Sequence, residues 1–457
     1  MALPDLIEIV PLDQPVQAEI TVPGSKSITN RALILAALAD GEVTLKGALW
    51  SEDTQIMTEC LQKLGFAVHV APDPEEFCNR TITVKGLGGK IPNAGTAEKP
   101  LELFVGNAGT AARFLSAFVC LGEGVYRLSG VLRMHERPQA ALFSALRELG
   151  YRVESGKGND KLPVKIYGEG PKSGQCRVSI EESSQFASAL LLCATNGSWE
   201  IKIVGGNEDE LPYVAMTLKL MQAFPEKGGA FQIEPDASSG SYFWGAGWFM
   251  HILTRLAVNP RRYADWTASP VVVKNWPDSG WQIDADFPDF LPFPKRISRE
   301  NQLGDSIMTA IVLAIDRDAA HSLGFKQYYD SIQFADLGRL RIQECERVVA
   351  LRTEMNKCGA KVVEEGDTLT IYPREPEELH GAEIETYNDH RMAMCFAILG
   401  LKVPGIKIKN PACVKKTFPN FFQKLAAQPP HGLGAEIWEI KNGQRTRQLS
   451  GEDLFAD

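Results

Sequence analysis

Hydrophobic residues recur along this chain in two patterns, one typical of helices and one typical of strands. In GSKSITNRALILAALADGEVTLKG, a turn of small residues precedes a helical apolar run, a glycine and an alternating segment. GNAGTAARFLSAFVCLGEGVYRLSG repeats the same order. Apolar positions at helical spacing favour a helix packed on a core, and alternation favours a half-buried strand. The pattern therefore predicts one helix–strand unit written twice.

The segments that follow these two units also match, because DTQIMTECLQKLGFAV and RPQAALFSALRELGYRV each predict an amphipathic helix ending in Leu-Gly before a strand. Each unit should run strand, helix, strand, helix, strand. Further copies begin at SSQFASALLLC, DASSGSYFWGA, GDSIMTAIVLA and DHRMAMCFAIL. Six copies at so long a period predict two globular domains of three units each. The fourth copy is the weakest, because the Pro- and Trp-containing stretch 259–301 predicts loops and short strands.

Composition narrows the class of protein. A length of 457 residues by itself predicts about two to three domains. The net charge of -9, without a basic block, argues against a nucleic-acid-binding surface. Nine cysteines without CxxC pairs or histidine clusters favour reduced, mostly buried thiols and a cytoplasmic protein. No basic N-terminal region precedes an apolar stretch and no apolar run of about 18 residues occurs, so secretion and membrane spanning are disfavoured.

The first helix of every copy opens with small or polar residues. Each opening could be an ordinary helix cap, since Ser, Thr and Asp are preferred there. Six together indicate more, because helix starts expose N–H groups and the positive end of the helix dipole. We expect several of them to meet in one cleft that binds a multiply anionic ligand. The six openings are Ser25-Lys26-Ser27, Ala108-Gly109-Thr110, Ser183-Ser184-Gln185, Ala237-Ser238-Ser239, Gly304-Asp305-Ser306 and Asp389-His390-Arg391.

Cations stand at or near these openings. On an acidic chain, arginine beside glycine and proline turns favours binding to a carboxylate or phosphate over exposure to solvent. Asp305 lies in the otherwise apolar GDSIMTAIVLA and has two interpretations, a helix cap or a general base with a shifted pKa. His390 is the one histidine flanked by Asp and Arg in a predicted turn. The cations are Lys26, Arg31, Arg113, Arg137, Arg347, Arg391 and Lys416.

The run ECER at 344–347 places three charges and a cysteine in what the pattern predicts to be one turn of a helix. Glu344 and Arg347 are three residues apart, so on a helix they would share a face and point into the cleft. Cys345 and Glu346 would then face elsewhere. The alternative is a surface ion pair, which contributes only about a few tenths of a kcal/mol.

Eight motifs, in chain order, resemble the bacterial and plant 5-enolpyruvylshikimate-3-phosphate synthases over roughly residues 8 to 425: PGSKSITNRALILAAL, GNAGTAARFL, RMHERP, SSQF, DASSGSYF, GDSIMT, YNDHRMAMCF and KKTFPNFF. The resemblance implies an α/β fold, a two-domain inside-out α/β barrel with three βαβαββ units around parallel helices in each domain. It implies one domain at 23–236 and a second that joins 1–22 to 237–457, with the active site in the interdomain cleft.

That family transfers the carboxyvinyl group of phosphoenolpyruvate to the 5-hydroxyl of shikimate 3-phosphate and releases phosphate. The resemblance therefore implies these two small-molecule substrates, no metal or other cofactor, no nucleic-acid or membrane partner, and a monomer. It implies that Asp305 takes the acceptor proton, that Lys26 or Glu344 handles the methylene proton, and that His390 is catalytic. The implied phosphoenolpyruvate contacts are Lys26, Gly109 through its backbone, Arg137, Gln185, Arg347, His390, Arg391 and Lys416. The implied shikimate 3-phosphate contacts are Lys26, Ser27, Arg31, Ser183, Ser184, Gln185, Tyr213, Asp305 and Gln343.

Three positions depart from the family, all on the acceptor side. Gln343 stands where the family has a lysine that helps to hold the shikimate hydroxyls. Arg339 aligns loosely with an asparagine of some members, and Glu210 aligns with a frequent serine near the acceptor phosphate. We expect a divergent synthase in which Arg339 compensates for the missing lysine.

Two other functions stay open. One is an enolpyruvyl transferase for a different alcohol, although RMHERP stands where the sister family that uses UDP-N-acetylglucosamine has a mobile cysteine loop. The other is a noncatalytic ligand-binding paralogue, against which the retained proton-transfer residues argue.

Gly109 leaves room where glyphosate binds in sensitive members, so we expect inhibition by glyphosate, although Phe114 replaces a more usual proline. The tail from Gln428 predicts a terminal strand and a disordered end.

Overall fold

The computed structural model describes residues 3–205, 211–257, 269–320 and 329–456. The chain divides into two compact parts, each larger than the sequence repeats described above. We call Met1–Val22 with Pro235–Asp457 the first unit and Pro23–Glu234 the second unit. The second boundary lies two residues before the position expected from the sequence. Within the described residues, no helix is long and apolar enough to cross a membrane.

Strands and helices alternate through most of the chain. The strands are β1 (Leu6–Ile9), β2 (Ala18–Ile20), β3 (Glu42–Leu49), β4 (Val68–Pro72), β5 (Asn79–Lys85), β6 (Leu101–Phe104), β7 (Glu123–Ser129), β8 (Arg152–Ser155), β9 (Val164–Glu169), β10 (Gly174–Ser179), β11 (Trp199–Val204), β12 (Gly229–Gln232), β13 (Val271–Val273), β14 (Arg296–Ser298), β15 (Ile332–Ala335), β16 (Lys361–Glu365), β17 (Thr368–Tyr372), β18 (Glu383–Ile384), β19 (Lys407–Lys409), β20 (Ile437–Lys441) and β21 (Gln444–Gln448). The helices are α1 (Lys26–Leu38), α2 (Glu52–Lys63), α3 (Gly109–Phe118), α4 (Ala140–Glu148), α5 (Ser184–Gly197), α6 (Leu211–Ala223), α7 (Ala237–Ala257), α8 (Ile307–Leu313), α9 (Arg317–Ala320), α10 (Arg347–Lys357), α11 (His390–Gly400) and α12 (Phe421–Ala426).

The 23–234 unit shows the repeated arrangement most clearly in its second copy. Strands β6 and β7 are parallel with α3 between them, and α4 leads to β8 and β9, which close the sheet as an antiparallel hairpin. This copy therefore runs βαβαββ, as the resemblance implied. Helices α1, α3 and α5 contact one another. Helix α3 is buried along its whole length, since all its residues except Arg113, Thr110 and Ser116 are apolar or glycine.

The last strand of this unit completes the sheet of its first copy. Strand β12 pairs in parallel with β3, from Gly229 opposite Val43 to Gln232 opposite Lys46. The third copy is left with a two-stranded sheet of β10 and β11. At the same place the N–H of Ser25 donates to the carbonyl of Glu234 at 2.8 Å. A backbone hydrogen bond therefore joins the beginning and the end of this unit.

The other unit repeats the arrangement with β14, β15, β17 and β16 in one sheet. Its largest sheet has the order β18-β19-β1-β20-β21, in which the N-terminal strand lies between two C-terminal ones. Ile7 and Ile9 of β1 are fully buried. Helices α7, α8 and α11 contact one another, and every residue of α11 is buried.

Two expectations about local structure are settled here. The prediction of loops and short strands in the fourth copy is confirmed within the described residues, where β13, a 3-10 segment at Ile283–Phe290 and β14 follow α7; residues 258–268 lie outside them. The prediction of a disordered end is wrong. Strands β20 and β21 form a hairpin on β1, and Leu454 and Ala456 are buried, because the tail supplies apolar residues that cover this sheet.

All nine cysteines are free, eight of them buried and Cys345 half-buried, which confirms the prediction of reduced, mostly buried thiols. Burial raises the pKa of the Cys60 thiol to about 12, so this group stays protonated at neutral pH.

Candidate active site

The starts of three helices in the first unit bring charged side chains together. Asp305 lies two residues before α8, Arg347 begins α10, and His390 and Arg391 begin α11. Lys416 ends a 3-10 segment at Pro411–Lys416. Ion pairs link these side chains to Arg299, Glu344 and Asp389. We call the whole set the Asp305 cluster; its members are Arg299, Asp305, Glu344, Arg347, Asp389, His390, Arg391 and Lys416.

Asp305 is surrounded by guanidinium groups. Its Oδ2 lies 2.9 Å from Arg391 Nη2, and its Oδ1 lies 3.4 Å from Arg299 Nη2 and 3.8 Å from Arg347 Nη1. Burial alone would raise the pKa of this carboxyl, but the three arginines outweigh burial and leave the pKa below its ordinary value. The interpretation of Asp305 as a helix cap is wrong, because Ser306 precedes the helix and the carboxylate pairs with arginines instead.

A second buried acid, Asp284, fixes the backbone on both sides of Asp305. Its Oδ1 accepts hydrogen bonds from Gly304 N at 2.7 Å, Ser306 N at 3.1 Å and Ser306 Oγ at 2.5 Å. Burial raises the pKa of Asp284. Sequence analysis did not single out this residue, since nothing in its local pattern indicates a partner twenty residues away.

Arg347 is the most enclosed cation of the cluster, with only 1% of its side chain exposed. It donates to Asp389 Oδ2 at 2.7 Å, to Glu344 Oε2 at 2.8 Å and to Gln343 Oε1. Burial alone would lower its pKa, but Asp389, Glu344 and Asp305 raise it above the ordinary value. Lys416 Nζ contacts the other oxygen of Glu344 at 2.9 Å. Glu344 therefore links two cations.

The expectation that Glu344 and Arg347 share a helical face is wrong, although the two are in contact. Helix α10 begins only at Arg347, and Glu346 is its N-cap, with a side chain that accepts from Val349 N at 2.6 Å. A cap residue has non-helical backbone angles, so the residues before it leave the helix. Nor does Cys345 face elsewhere, since its thiol donates to Asp389 Oδ2 at 3.5 Å.

Asp389, in one of the predicted helix openings, makes an ion pair that sequence analysis did not predict. Its Oδ1 caps α11 by accepting from Arg391 N at 2.9 Å, while its Oδ2 pairs with Arg347. His390 is 1% exposed, and its Nδ1 lies 3.7 Å from Asp389 Oδ1. An acid before a predicted helix is a usable signal for the cap, but the ion pair depends on a residue 42 positions away.

The second unit has its own cluster at the starts of α3 and α5. Arg113 Nη1 donates to Gln185 Oε1 at 3.1 Å, and Gln185 Nε2 donates to Thr110 Oγ1 at 3.3 Å. Arg137 Nη1 donates to the carbonyl of Asn107 at 3.3 Å. A methyl group added at Gly109 would lie 2.4 Å from Arg113 Nη1 and 2.7 Å from Arg137 Nη1. Glycine is therefore required for both guanidinium groups to approach this helix start.

Arg31 lies in the same unit, and 2% of it is exposed. It donates to Thr217 Oγ1 at 2.8 Å and to Ser188 Oγ at 3.1 Å, and it lies over the ring of Phe114. The backbone carbonyl of Ser27 accepts from its Nη1, and that of Tyr213 accepts from Nη2, which also donates to Ser188. Ser183 caps α5 and Ser184 begins it, so the predicted phosphate contacts lie at a helix start, where N–H groups favour anions.

Lys26 begins α1, and its Nζ lies 3.4 Å from Asp53 Oδ2. Asp53 is buried in the first turn of α2, and sequence analysis missed it because acids are common there for capping alone. Arg339 lies in a half-buried 3-10 segment at Gly338–Ile342. Glu210, the third departure from the family pattern, lies outside the described residues.

A model of the EPSP synthase (3-phosphoshikimate 1-carboxyvinyltransferase) family matches residues 12–227 and 225–425. The chain belongs to this family. Curated EPSP synthases similar to it include that of Trichormus variabilis, 36% identical with 92% of this chain and 98% of the relative covered. Another is that of Opitutus terrae, 37% identical with 93% and 98% covered. The chloroplastic enzyme of Solanum lycopersicum is 35% identical with 91% and 83% covered.

Solved structures agree on the fold. EPSP synthase from Acinetobacter baumannii superposes with a TM-score of 0.67 at 19% identity, covering 95% of this chain and all of that one. The enolpyruvyl transferase NikO from Streptomyces tendae superposes with a TM-score of 0.60 at 14% identity, covering 95% and 98%. The predicted resemblance and the predicted fold class, the two-domain inside-out α/β fold of EPSP synthases, are thereby confirmed.

Proposed function

We propose that this EPSP synthase family member transfers the carboxyvinyl group of phosphoenolpyruvate to the 5-hydroxyl of shikimate 3-phosphate, giving 5-enolpyruvylshikimate 3-phosphate and phosphate. The observation that carries the proposal is the Asp305 cluster, in which one ionised acid lies among Arg299, Arg347 and Arg391. Such a site can hold an anionic substrate and also offers it a base.

Phosphoenolpyruvate carries a phosphate and a carboxylate, which suit cations and the N–H groups of helix starts. We assign to this substrate Arg347, Arg391, Lys416, His390, Lys26, Arg137, Gln185 and the Gly109 backbone. Charge-assisted hydrogen bonds of this kind contribute about 1.5 to 3 kcal/mol each. Arg347, Arg391 and Lys416 pair with Asp305, Glu344 and Asp389 in the structure, so the substrate would compete with these carboxylates for the three cations.

We assign shikimate 3-phosphate to a second set of polar and charged groups. The helix start of α5 suits the phosphate, and Arg31 suits the carboxylate provided that its contacts with Ser188 and Thr217 yield to the ligand. The assigned residues are Lys26, Ser27, Arg31, Ser183, Ser184, Gln185, Tyr213, Asp305 and Gln343.

The proposed reaction has two steps. Asp305 accepts the proton of the attacking hydroxyl while the methylene carbon of phosphoenolpyruvate gains a proton, and the acceptor oxygen bonds to C2 to give a tetrahedral ketal. A proton then leaves the methyl group as the bond between C2 and the phosphate oxygen breaks, which restores the carbon–carbon double bond and gives the enol ether product and inorganic phosphate. Lys26 and Glu344 are the candidates for the methylene proton. When phosphoenolpyruvate draws Arg391 and Arg347 toward itself, Asp305 loses part of the charge that lowers its pKa and becomes a better base.

The test is phosphate release from phosphoenolpyruvate with three alternative acceptors, shikimate 3-phosphate, unphosphorylated shikimate and UDP-N-acetylglucosamine. Activity with shikimate 3-phosphate alone is expected. Gln343, neutral where the family has lysine, favours a second candidate, an enolpyruvyl transferase for another alcohol. Activity with one of the other acceptors alone would support that candidate. No turnover with any of them, together with retained ligand binding, would instead identify a noncatalytic paralogue.

The nine free thiols suit a reducing compartment, so we also propose that the enzyme acts in the cytoplasm, and as a monomer. Light scattering coupled to size-exclusion chromatography is expected to give the mass of one chain; a dimer mass would reject the second statement.

A further inference from the structure

Arg299 is a buried cation that sequence analysis did not single out. It directly follows β14, and its backbone N–H donates to the carbonyl of Ala335 on the neighbouring strand at 3.1 Å. Only 2% of its side chain is exposed. A guanidinium stays charged in proteins, and burying one is costly unless anions compensate it. The buried charge of Arg299 therefore needs a nearby anion, and Asp305 is one such anion.

The charge balance of the Asp305 cluster depends on Arg299. The other cations of the cluster each lie within 3 Å of a different carboxylate, whereas Arg299 shares Asp305 with Arg391. Together with the buried Asp284, which also faces Asp305, four acids lie among the four cations, and without Arg299 the acids would be in excess. The three close pairs are Arg391 with Asp305 at 2.9 Å, Arg347 with Asp389 at 2.7 Å and Lys416 with Glu344 at 2.9 Å.

The proposed function gives Arg299 a different role from the other arginines of the cluster. Under the proposed function, Arg347 and Arg391 turn to phosphoenolpyruvate, and Arg299 is the cation that stays beside Asp305 Oδ1. Asp305 cannot follow them far, because Asp284 holds Gly304 and Ser306 on either side of it. On the same side of the cluster, Gln343 accepts from Arg347 and brings no charge where the family has lysine.

We propose that Arg299 is a positioning residue for the acceptor: it keeps Asp305 oriented for the acceptor hydroxyl and supplies the positive charge that position 343 lacks. This inference rests on the proposed function and deepens it. It adds Arg299 to Arg339 as a candidate for the compensating cation, because Arg299 contacts Asp305.

The test is steady-state kinetics of the full chain with Arg299→Gln. We expect the KM for shikimate 3-phosphate to rise at least about tenfold while the KM for phosphoenolpyruvate changes less than about threefold. We also expect the acid limb of the pH–rate profile to move up by about one pH unit, because a carboxylate that loses a nearby cation gains a higher pKa. The other charged groups that face Asp305 are unchanged in this variant; they are Arg347, Arg391, Glu344 and Asp284.

Three further variants sharpen the result. Arg296→Gln removes an exposed arginine from the same strand and is expected to change neither KM. Arg299→Lys should return the acid limb to its original pH. Adding Gln343→Lys to Arg299→Gln should recover most of the lost acceptor affinity, since it restores a cation on the same side of Asp305.

Unchanged kinetics in Arg299→Gln would overturn the inference, as would a selective acceptor defect in Arg339→Gln instead. If Arg299→Gln does not fold, the single variant Gln343→Lys tests the inference instead. A gain of more than about tenfold in affinity for shikimate 3-phosphate would show that the site reaches its full complement of positive charge only with a lysine at 343, and an affinity lowered by this variant would contradict the inference. Calorimetric binding of shikimate 3-phosphate gives the same comparison without turnover. A wild-type chain that binds this acceptor but turns over none would reject the proposed function and leave the Arg299 comparison intact.

Discussion

Asp389 shows how one carboxylate can both cap a helix and pair with a buried arginine of the Asp305 cluster. It is fully buried, caps α11 through the N–H of Arg391, and pairs with Arg347 through Nε. An arginine with 1% exposure can be kept in place only if its charge is compensated nearby. The position of Arg347, which we assign to phosphoenolpyruvate, therefore depends on an acid that need not touch the substrate.

We predict that Asp389→Asn lowers the free energy of unfolding by about 3 kcal/mol, because breaking a buried ion pair leaves a charge uncompensated. Denaturant unfolding measures this change. The matched control is Arg341→Gln, which removes a partly exposed arginine paired with Asp367, Glu346 and Glu364 and should cost no more than about 1 kcal/mol. Equal losses in the two variants would contradict the role of Asp389.

Gly109 permits a second residue-scale prediction. Its Cβ position overlaps two guanidinium ends, which are flexible and can move without unfolding the chain. Gly109→Ala should therefore leave the melting temperature nearly unchanged. It should raise the KM for phosphoenolpyruvate and the inhibition constant of glyphosate, each at least about tenfold, or about 1.4 kcal/mol. A wild-type enzyme in which millimolar glyphosate does not compete with phosphoenolpyruvate would contradict the expected sensitivity.

At the scale of elements, the start of α10 separates two neighbouring acids by function. Glu346 caps the helix, whereas Glu344 lies outside it between Arg347 and Lys416. Local sequence cannot make this distinction, because both residues precede an amphipathic run and either could be the cap. Only the distant Asp389 and Lys416 identify the acid that belongs to the site.

The two acids should respond oppositely to substitution. Glu346→Ala is expected to cost about 1 kcal/mol of stability, the usual effect of losing an N-cap, with kcat unchanged. Glu344→Gln is expected to lower kcat at least about 100-fold, the usual contribution of a proton-transfer group, with a smaller change in stability. Measuring both quantities for both variants checks the assignment, and a kinetic defect in Glu346→Ala would contradict it.

Elements whose evidence is local were predictable, and those that depend on distant partners were not. The helices α1 and α3 follow from their apolar spacing, and the strands after them follow from alternation. The pairing of β12 with β3 and the docking of the tail on β1 involve residues far apart in the chain, which no local period encodes. The same holds for the site, where Lys26, Arg347, Arg391 and Lys416 were singled out from the sequence but Asp53, Asp284 and Arg299 were not.

At the scale of the whole molecule, the C-terminal residues are part of the core of the first unit. Strand β20 pairs with β1, and the tail contributes the buried side chains of Ile437, Leu449 and Leu454. Burying an aliphatic side chain contributes about 1.5 to 3 kcal/mol, so these three together contribute about 5 to 9 kcal/mol. Total stabilities are only about 5 to 15 kcal/mol.

We therefore predict that a chain ending at Leu433 fails to give a cooperative thermal transition. Arg445→Ala is the control, because it removes the exposed partner of Glu8 and its contact over the Trp438 ring but no buried apolar side chain, and it should cost no more than about 1 kcal/mol. Circular dichroism melting distinguishes the two. A truncated chain that melts like the full one would mean that the tail covers the sheet without stabilising it.

The hydrogen bond from Ser25 to Glu234 suggests that the two units could be produced as separate proteins. A segment whose two ends lie close together can be expressed by itself, and the remaining chain can be joined by a short linker between Val22 and Pro235. Each piece should then fold in isolation, which would allow its ligands to be titrated one half at a time.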